Sequence, residues 1–267
     1  MLKQVLFCEI IRLINAYFTN DFNFWLTKVY GSDVQATLDR SDLGPSGSFG
    51  GKRYRNQKLT KNPIIFVHGV SNTAGEQPLV GASYFLSSGY DWSELYGTTY
   101  ASGSEGNPMQ WVKYSMDCKY VKQVRALIVA VRLYTGRSVN IIAYSLGVPI
   151  SRKAILGGLC VDTEENLGNS LTNSIDTFIG IAGPNHGVKL KIGETNIPAC
   201  MFSLLPICNQ QTGLFSGLCP KESTFLTNIN SVAGYEGRYI FTIYSKNDQI
   251  IGYDICGMVP SFIHFAT

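Results

Sequence analysis

From Pro63 onward, short apolar runs alternate with longer segments that have helical periodicity. The apolar runs are typical of buried strands and cover residues 63–67, 94–100, 138–144, 175–183 and 238–245. Helices are predicted between them at residues 78–89, 119–135 and 146–156. Because parallel neighbours need crossover connections, this alternation predicts an α/β fold with a doubly wound, mostly parallel sheet.

Two regions depart from this alternation. Residues 20–60 are polar and rich in glycine and serine, and their stretch "GPSGSFGGKRYRNQ" predicts an extended surface arm. Residues 184–236 form an irregular, cysteine-bearing insert, which is long for a connection. The insert is interpreted either as a cross-linked cap near a ligand entrance or as a packed helical segment.

The first eighteen residues, "MLKQVLFCEIIRLINAYF", have some features of a degraded secretory leader. Lys3 offers a positive start, but Glu9, Arg12 and Asn15 interrupt the apolar core that such a leader needs. An amphipathic helix is the alternative. The expected organisation is a leader at 1–18 and a single domain at 19–267, which contains the insert.

The charge balance is mild. Charged residues make up 15% of the chain, and 22 basic against 19 acidic residues leave a net charge of +3. This balance argues against nucleic acid as the main partner and is compatible with work near lipid. No stable protein partner is implied.

The seven cysteines show no C-x-x-C spacing, which argues against a zinc ribbon or a redox motif of the thioredoxin type. If Cys8 is removed with a leader, six remain, enough for three disulfides. Free, buried thiols are the alternative. No metal or cofactor is expected.

The main chemical signal is Ser145 in the frame Ala143-x-Ser145-x-Gly147, between a predicted strand and a predicted helix. A serine on such a tight turn can act as a nucleophile, provided that the residues two before and two after it are small. An ordinary helix-capping serine is the alternative. The position at the carboxyl end of a central strand, where doubly wound sheets bind ligands, favours the nucleophile.

A second signal is His68-Gly69-Val70, which follows the strand at 63–67. In hydrolases with a serine on such a turn, this loop supplies half of the oxyanion hole. The expected donors are the backbone amides of Val70 and of Leu146, the residue after the nucleophile. His68 is expected to shape the loop rather than to transfer protons.

The remaining catalytic candidates follow from chain order. Asp248 lies just after the strand at 238–245 and is predicted as the acid, although a turn role would also suit it. Of the three histidines, His264 alone follows Asp248, so it is predicted as the general base. A terminal histidine without catalytic significance is the alternative. His186 lies on another loop and is not expected to take part.

Together these residues resemble the class 2 lipases, small α/β-hydrolases with little or no lid. The resemblance runs from about Thr19 to about Cys256 and rests on "NPIIFVHGVSN", "ELYGTTY", "IIAYSLGVPISRKAILGG", "FIGIAGPNHG", "YSKNDQIIG" and the upstream "NDFNFWLTKVYGSDV". Alanine is common at the first position of this family's serine turn, so Ala143 fits it.

The resemblance implies a secreted enzyme with disulfides that hydrolyses carboxyl esters, including triacylglycerols, at a lipid–water interface without a cofactor. It also implies Ser145 as nucleophile, Asp248 as acid, and Val70 and Leu146 as oxyanion donors. The tail "GMVPSFIHFAT" does not match the family's histidine region. A catalytically impaired protein of this fold that binds lipid or a protein is therefore the alternative function.

The apolar residues of the insert permit two interpretations under this resemblance. They could line an acyl pocket, or they could pack on the core, which is what apolar residues in an insert usually do. Packing is the prediction for Met201, Phe202, Leu204, Leu205 and Phe215.

Overall fold

The computed structural model describes residues 17–103, 107–192, 195–198, 200, 202–215, 217 and 222–267, so the predicted leader up to residue 16 lies outside it. The strands of the main sheet are β1 (Tyr17–Phe18), β2 (Ser48–Gly50), β3 (Ile64–Val67), β4 (Leu95–Thr98), β5 (Val139–Tyr144), β6 (Ile175–Ile181) and β9 (Tyr239–Ile243). A separate hairpin is formed by β7 (Lys189–Ile192) and β8 (Thr195–Pro198).

The seven strands form one sheet in the order β1-β2-β4-β3-β5-β6-β9. All neighbouring pairs are parallel except β2 and β4. The prediction of a doubly wound, mostly parallel α/β sheet is confirmed. The central strands β3, β5 and β6 place their carboxyl ends at one edge, where the candidate site lies.

Six α-helices surround this sheet within the described residues: α1 (Asn20–Tyr30), α2 (Ser32–Asp39), α3 (Gln77–Ser87), α4 (Cys118–Thr135), α5 (Gly147–Leu156) and α6 (Thr224–Asn230). All except α3 contribute to the large core on one face of the sheet. On the other face, α3 packs over β2, β3 and β4. Both faces of β3 and β4 are therefore buried, as parallel strands in such a sheet require.

Among the described elements, none covers the α3 face of the sheet at its edge strand β9. Ile179 of β6 and Phe241 of β9 are register neighbours on this face, as are Ile181 and Ile243. The two β6 residues are partly buried, while Tyr239, Phe241 and Ile243 of β9 are exposed. The edge strand β9 therefore presents an uncovered apolar row to solvent.

The predicted surface arm, residues 44–57, is wrong at residues 46–51, which are buried, whereas residues 53–56 are exposed. Helices α1 and α2, in the same polar region at residues 20–60, were not predicted. Thr19 caps α1 by accepting a hydrogen bond from the amide of Phe22, and Phe22 and Leu26 are fully buried one turn apart. Phe49 is also buried, in strand β2. The sheet itself begins at Tyr17, two residues before the expected domain boundary at residue 19.

The insert has both cross-linked and helical parts. It contains the β7–β8 hairpin, helix α6, and a disulfide between Cys200 and Cys208. A second disulfide, Cys118–Cys160, joins the start of α4 to the segment after α5, and Cys256 is also disulfide-bonded. Across the described ranges, no helix is both long and apolar enough to cross a membrane.

Candidate active site

Ser145 lies between the end of β5 and the start of α5, on the predicted tight turn. Its φ is +50°, a left-handed conformation that residues other than glycine adopt at a cost. Its amide donates to the carbonyl of Ile181 in β6 at 2.8 Å, and its carbonyl accepts from the amide of Val148 at 2.9 Å. These bonds fix the strained turn to the neighbouring strand and to the first turn of the helix.

Small residues allow this turn to approach β3. A Cβ atom on Gly147 would lie 2.3 Å from the carbonyl oxygen of His68, and one on Gly69 would lie 3.0 Å from the Cβ atom of Ser145. Ala143 is fully buried and pairs with Val67 on one side and Gly180 on the other. The alanine two residues before the serine is therefore compatible with the turn.

Two backbone amides beside Ser145 have no acceptor within the described part of the chain. These are the amides of Leu146, which follows the serine, and of Val70, which follows Gly69. The amide of Ser145 itself is occupied by Ile181. The backbone N–H groups of Leu146 and Val70 are therefore available as hydrogen-bond donors near the serine side chain.

His68 is buried and both of its ring nitrogens are engaged. Nδ1 lies 2.7 Å from the carbonyl oxygen of Gly69, and Nε2 accepts a hydrogen bond from the amide of Tyr100 at 3.0 Å. These partners assign the neutral tautomer with its proton on Nδ1. Burial lowers the pKa of His68 to about 4, although the Gly69 carbonyl acts in the opposite direction. His68 therefore supports the loop and has no free nitrogen for proton transfer.

The loop that carries Val70 is also bound by Trp111, a contact that the sequence did not indicate. The indole Nε1 of Trp111 donates to the hydroxyl of Ser71 at 2.7 Å, and Ser71 directly follows Val70. Trp111 lies in the 3₁₀ helix Pro108–Lys113, which packs against the 3₁₀ turn Pro206–Cys208 of the insert. Trp111 and Ser71 are 40 residues apart, and Trp111 lies in none of the quoted motifs, so no local signal pairs them.

Asp248 lies in the loop after β9, near the carboxyl edge of the sheet. Its Oδ1 accepts hydrogen bonds from the amides of Ile250 and Ile251, both at 2.9 Å. Its own amide donates to the carbonyl of Ser245. The carboxylate therefore makes the contacts of a turn residue in this structure.

His264 is exposed and lies on a tail that runs back along β9. Ser261 accepts from the hydroxyl of Thr242 at 2.7 Å, and Thr267 donates to the carbonyl of Ile240 at 3.0 Å. The tail therefore leads from the carboxyl half of β9 toward its amino half, and away from Ser145. Among the described residues, no hydrogen bond joins Ser145, Asp248 and His264.

His186 follows the end of β6 and belongs to a polar network. Its Nδ1 pairs with the carboxylate of Glu222, whose other oxygen accepts from Asn230 at 3.1 Å. Burial raises the pKa of Glu222, but the hydrogen bond and charge of His186, the hydrogen bond of Asn230 and the charge of Arg152 together offset this and leave the pKa lowered. Arg152 of α5 extends the network, since it donates to Asn230 and, at 2.8 Å, to Glu236. His186 thus ties the loop after β6 to α5 and α6.

The insert does not pack as predicted. Phe202, Leu204 and Leu205 expose 70%, 85% and 44% of their surface, while Phe215 is partly buried and Met201 lies outside the described residues. The packing prediction is therefore wrong for the first three. The reason is the disulfide, since Cys200 and Cys208 are buried at its base and the short segment between them projects outward.

One cluster of potential metal ligands occurs within the described ranges. Cys118, Cys160 and Asp162 lie close together, but the two sulfur atoms are joined in a disulfide. A disulfide sulfur is not the thiolate that binds zinc or copper. This cluster therefore does not offer the donors of a metal site.

Comparisons with known proteins found one matching family and several solved structures of similar fold. A family model described as "Lipase (class 2)" matches residues 61–267, whereas a search of curated proteins found no match. The chain is similar in fold to lipase B of Aspergillus fumigatus, with a TM-score of 0.50 and 15% identity. That match covers 81% of this chain and 45% of the Aspergillus protein, so the chain spans under half of that relative.

Two other solved structures are more distant in shape. Lipase BlEst2 of Bacillus licheniformis, in its mature form, has a TM-score of 0.43 and 18% identity over 73% of this chain and 70% of that chain. Phospholipase PlaB of Legionella pneumophila has a TM-score of 0.37 and 22% identity over 68% of this chain and 38% of that chain.

Proposed function

Because the chain belongs to the class 2 lipase family and has an α/β-hydrolase fold, we propose that it hydrolyses carboxyl esters of lipids, such as acylglycerols. One observation carries the proposal: the strained Ser145 turn lies at the carboxyl edge of the sheet beside two amides that have no acceptor among the described residues. Strained backbone that the surrounding structure holds in place is characteristic of functional sites.

In the proposed reaction, the hydroxyl oxygen of Ser145 attacks the ester carbonyl carbon. The amides of Leu146 and Val70 donate to the oxygen that becomes negative in the tetrahedral intermediate. The alcohol then leaves, and water releases the acid from the acyl-enzyme. Loss of one such amide donor typically costs about 3–4 kcal/mol of transition-state stabilisation.

His264 is the proposed general base and Asp248 the acid that orients it. This assignment follows the order Ser145, Asp248, His264 along the chain, which is the order of this fold. It requires the tail to leave β9 and carry the imidazole to Ser145, because proton transfer needs heavy atoms about 3 Å apart. Both amide contacts of Asp248 are to Oδ1, so in this proposal the imidazole pairs with Oδ2.

A second candidate function is a lipid- or protein-binding protein with impaired catalysis. The observation in its favour is that His264 is exposed beside β9 while Asp248 is held by the amides of its own turn. A serine without a base is a weak nucleophile, so turnover would fall by several orders of magnitude.

We also propose that the protein works outside the cell. The support is the pair of disulfides, Cys118–Cys160 and Cys200–Cys208, which form and persist in oxidising compartments. A lipid–water interface is the proposed place of action, consistent with the proposed substrates.

Labelling with a fluorophosphonate, followed by mass spectrometry of the modified peptide, separates the two functions. The hydrolase proposal expects rapid labelling of Ser145, none in Ser145→Ala, and a large loss of rate in His264→Ala. His186→Ala is the matched control, because it removes an imidazole from the polar network and should keep most of the rate. Absence of labelling in a folded protein would favour the binding protein, and full labelling of His264→Ala would remove His264 from the mechanism.

A further inference from the structure

The insert presents a concentrated apolar surface to solvent. The segment 202–208, "FSLLPIC", contains no charged residue, and its three large apolar side chains at 202, 204 and 205 are exposed. Isolated exposed apolar residues are common, but a cluster at the tip of a projecting segment is typical of an interaction site. We call this segment, residues 202–208, the apolar loop.

The apolar loop is held in one conformation at its base. The disulfide joins Cys200 to Cys208, and the amide of Cys208 donates to the carbonyl of Leu205 at 2.8 Å. The side-chain amide of Asn209 also donates to the carbonyl of Pro206 at 2.6 Å. Because the backbone is already ordered, binding through the tip requires little further loss of conformational entropy.

The apolar loop is connected to the candidate active site through the 3₁₀ helix Pro108–Lys113. Its turn Pro206–Cys208 packs against the 3₁₀ helix that carries Trp111, and Trp111 donates to Ser71. Ser71 follows Val70, one of the two proposed oxyanion donors. A surface that binds the tip of the apolar loop is therefore brought close to the loop that carries Val70.

We propose that the apolar loop inserts Phe202, Leu204 and Leu205 into a lipid surface and holds the active site against it. This inference rests on the proposed action on lipid esters, since the occupant is the hydrocarbon region of the aggregated substrate. A lipid surface suits the loop because it accepts projecting apolar side chains without a shaped cavity, and transfer of those side chains out of water drives binding. Because the apolar loop contains no charged residue, its binding does not require anionic lipid.

Sedimentation with vesicles of zwitterionic phosphatidylcholine tests this inference. The experiment uses the full chain carrying Ser145→Ala, so that binding is measured without turnover and without damage to the vesicles. The test variant is Phe202→Gln with Leu204→Gln. Its matched control is Phe24→Gln with Leu133→Gln, which replaces the same residue types at positions 67% and 58% exposed on α1 and α4.

The expected result is a fall of roughly tenfold or more in the vesicle partition constant of the test variant, and less than about twofold in the control. Increased salt should leave the partition constant unchanged. Equal losses in both variants, or no binding of the folded parent protein to vesicles, would overturn the inference.

A second readout separates this inference from the proposed function. With Ser145 restored, the test variant should hydrolyse a water-soluble short-chain ester at the rate of the unmodified protein, but should lose turnover of emulsified triacylglycerol. If the unmodified protein hydrolyses neither ester while the loop variant alone loses vesicle binding, the proposed hydrolase function fails and the lipid contact stands.

Discussion

The imidazole of His68 lies parallel to the ring of Tyr100, with centroids 4.1 Å apart and 9° between their planes. Two hydrogen bonds accompany the stack, one from the amide of Tyr100 to Nε2 of His68 and one from the hydroxyl of Tyr100 to the carbonyl of His68. These contacts join the segments that follow β3 and β4. The loop that carries Val70 is therefore supported by a histidine that must stay neutral.

The first prediction is that stability falls between pH 6.5 and pH 4 because of His68. Its pKa is about 4 in the folded protein and about 6.5 when unfolded, so the unfolded state binds more protons in this range. The contribution of His68 to stability is fully present above pH 6.5. It is lost as the pH falls toward 4, which lowers the free energy of unfolding by about 3 kcal/mol at most. Urea unfolding at several pH values measures the slope.

His68→Gln is the variant that isolates this effect. It should be less stable at pH 7, because the imidazole contacts are lost, but its stability should depend less steeply on pH between 6.5 and 4. Equal slopes in both proteins would mean that other groups account for the pH dependence.

The second prediction concerns the approach of α5 to β3. Gly147→Ala should destabilise the fold by about 3 kcal/mol or more, since its Cβ would meet a backbone oxygen that cannot move without shifting β3. Gly136→Ala is the matched control: Gly136 has φ of +68° but nothing within 4 Å of an added Cβ. It should cost only about 1–2 kcal/mol from backbone strain. Denaturant titration compares them, and similar losses would contradict the steric argument.

The third prediction separates strain from chemistry at the serine. Ser145→Gly and Ser145→Ala should both lose fluorophosphonate labelling, because neither has a hydroxyl group. Only Ser145→Gly should gain stability, by about 1 kcal/mol, because glycine adopts a positive φ without steric cost. Thermal unfolding measures the difference, and equal melting temperatures for the two variants would show that the turn stores no strain.

The fourth prediction concerns the buried ion pair between Arg152 and Glu236. Both side chains are almost fully buried, and Oε2 of Glu236 has no partner among the described residues. Arg152→Met should therefore cost about 3–5 kcal/mol, because it leaves an unpaired carboxylate in the core. Adding Glu236→Leu should recover much of that loss.

The exposed pair Lys122–Glu165 provides the control for this experiment. Lys122→Met should leave stability nearly unchanged, because solvent screens a pair on the surface. If the buried and exposed substitutions had the same small effect in denaturant titrations, burial would not govern the strength of these pairs.

Local patterns predicted the regular elements well. The helix predicted at 119–135 is α4, which ends at Thr135 with Gly136 in a left-handed C-cap, because periodicity and capping are both local properties. The first two helices were missed because the composition of residues 20–60 outweighed a real signal. That signal was the capping Thr19 followed by Phe22 and Leu26 on one face.

Contacts between distant segments could not be predicted in this way. Trp111 and Ser71 are 40 residues apart, and Arg152 and Glu236 are 84 apart, so no short motif contains either pair. Chain order selected His264, but its position depends on where the tail packs. The tail is held by the hydrogen bond of Thr267 to Ile240 and by the burial of Ile263 in the large core.

The uncovered face of β9 has a consequence for local unfolding. Among the described elements, β9 pairs with β6 alone and no helix covers its outward row of apolar side chains. Its opening therefore costs less free energy than that of the central strand β5, so its amide hydrogens should exchange with solvent sooner. Asp248 lies in the loop after this strand, whereas Ser145 directly follows β5. The proposed acid and the proposed nucleophile thus follow strands of different local stability, so Asp248 can change its contacts while the serine turn stays folded.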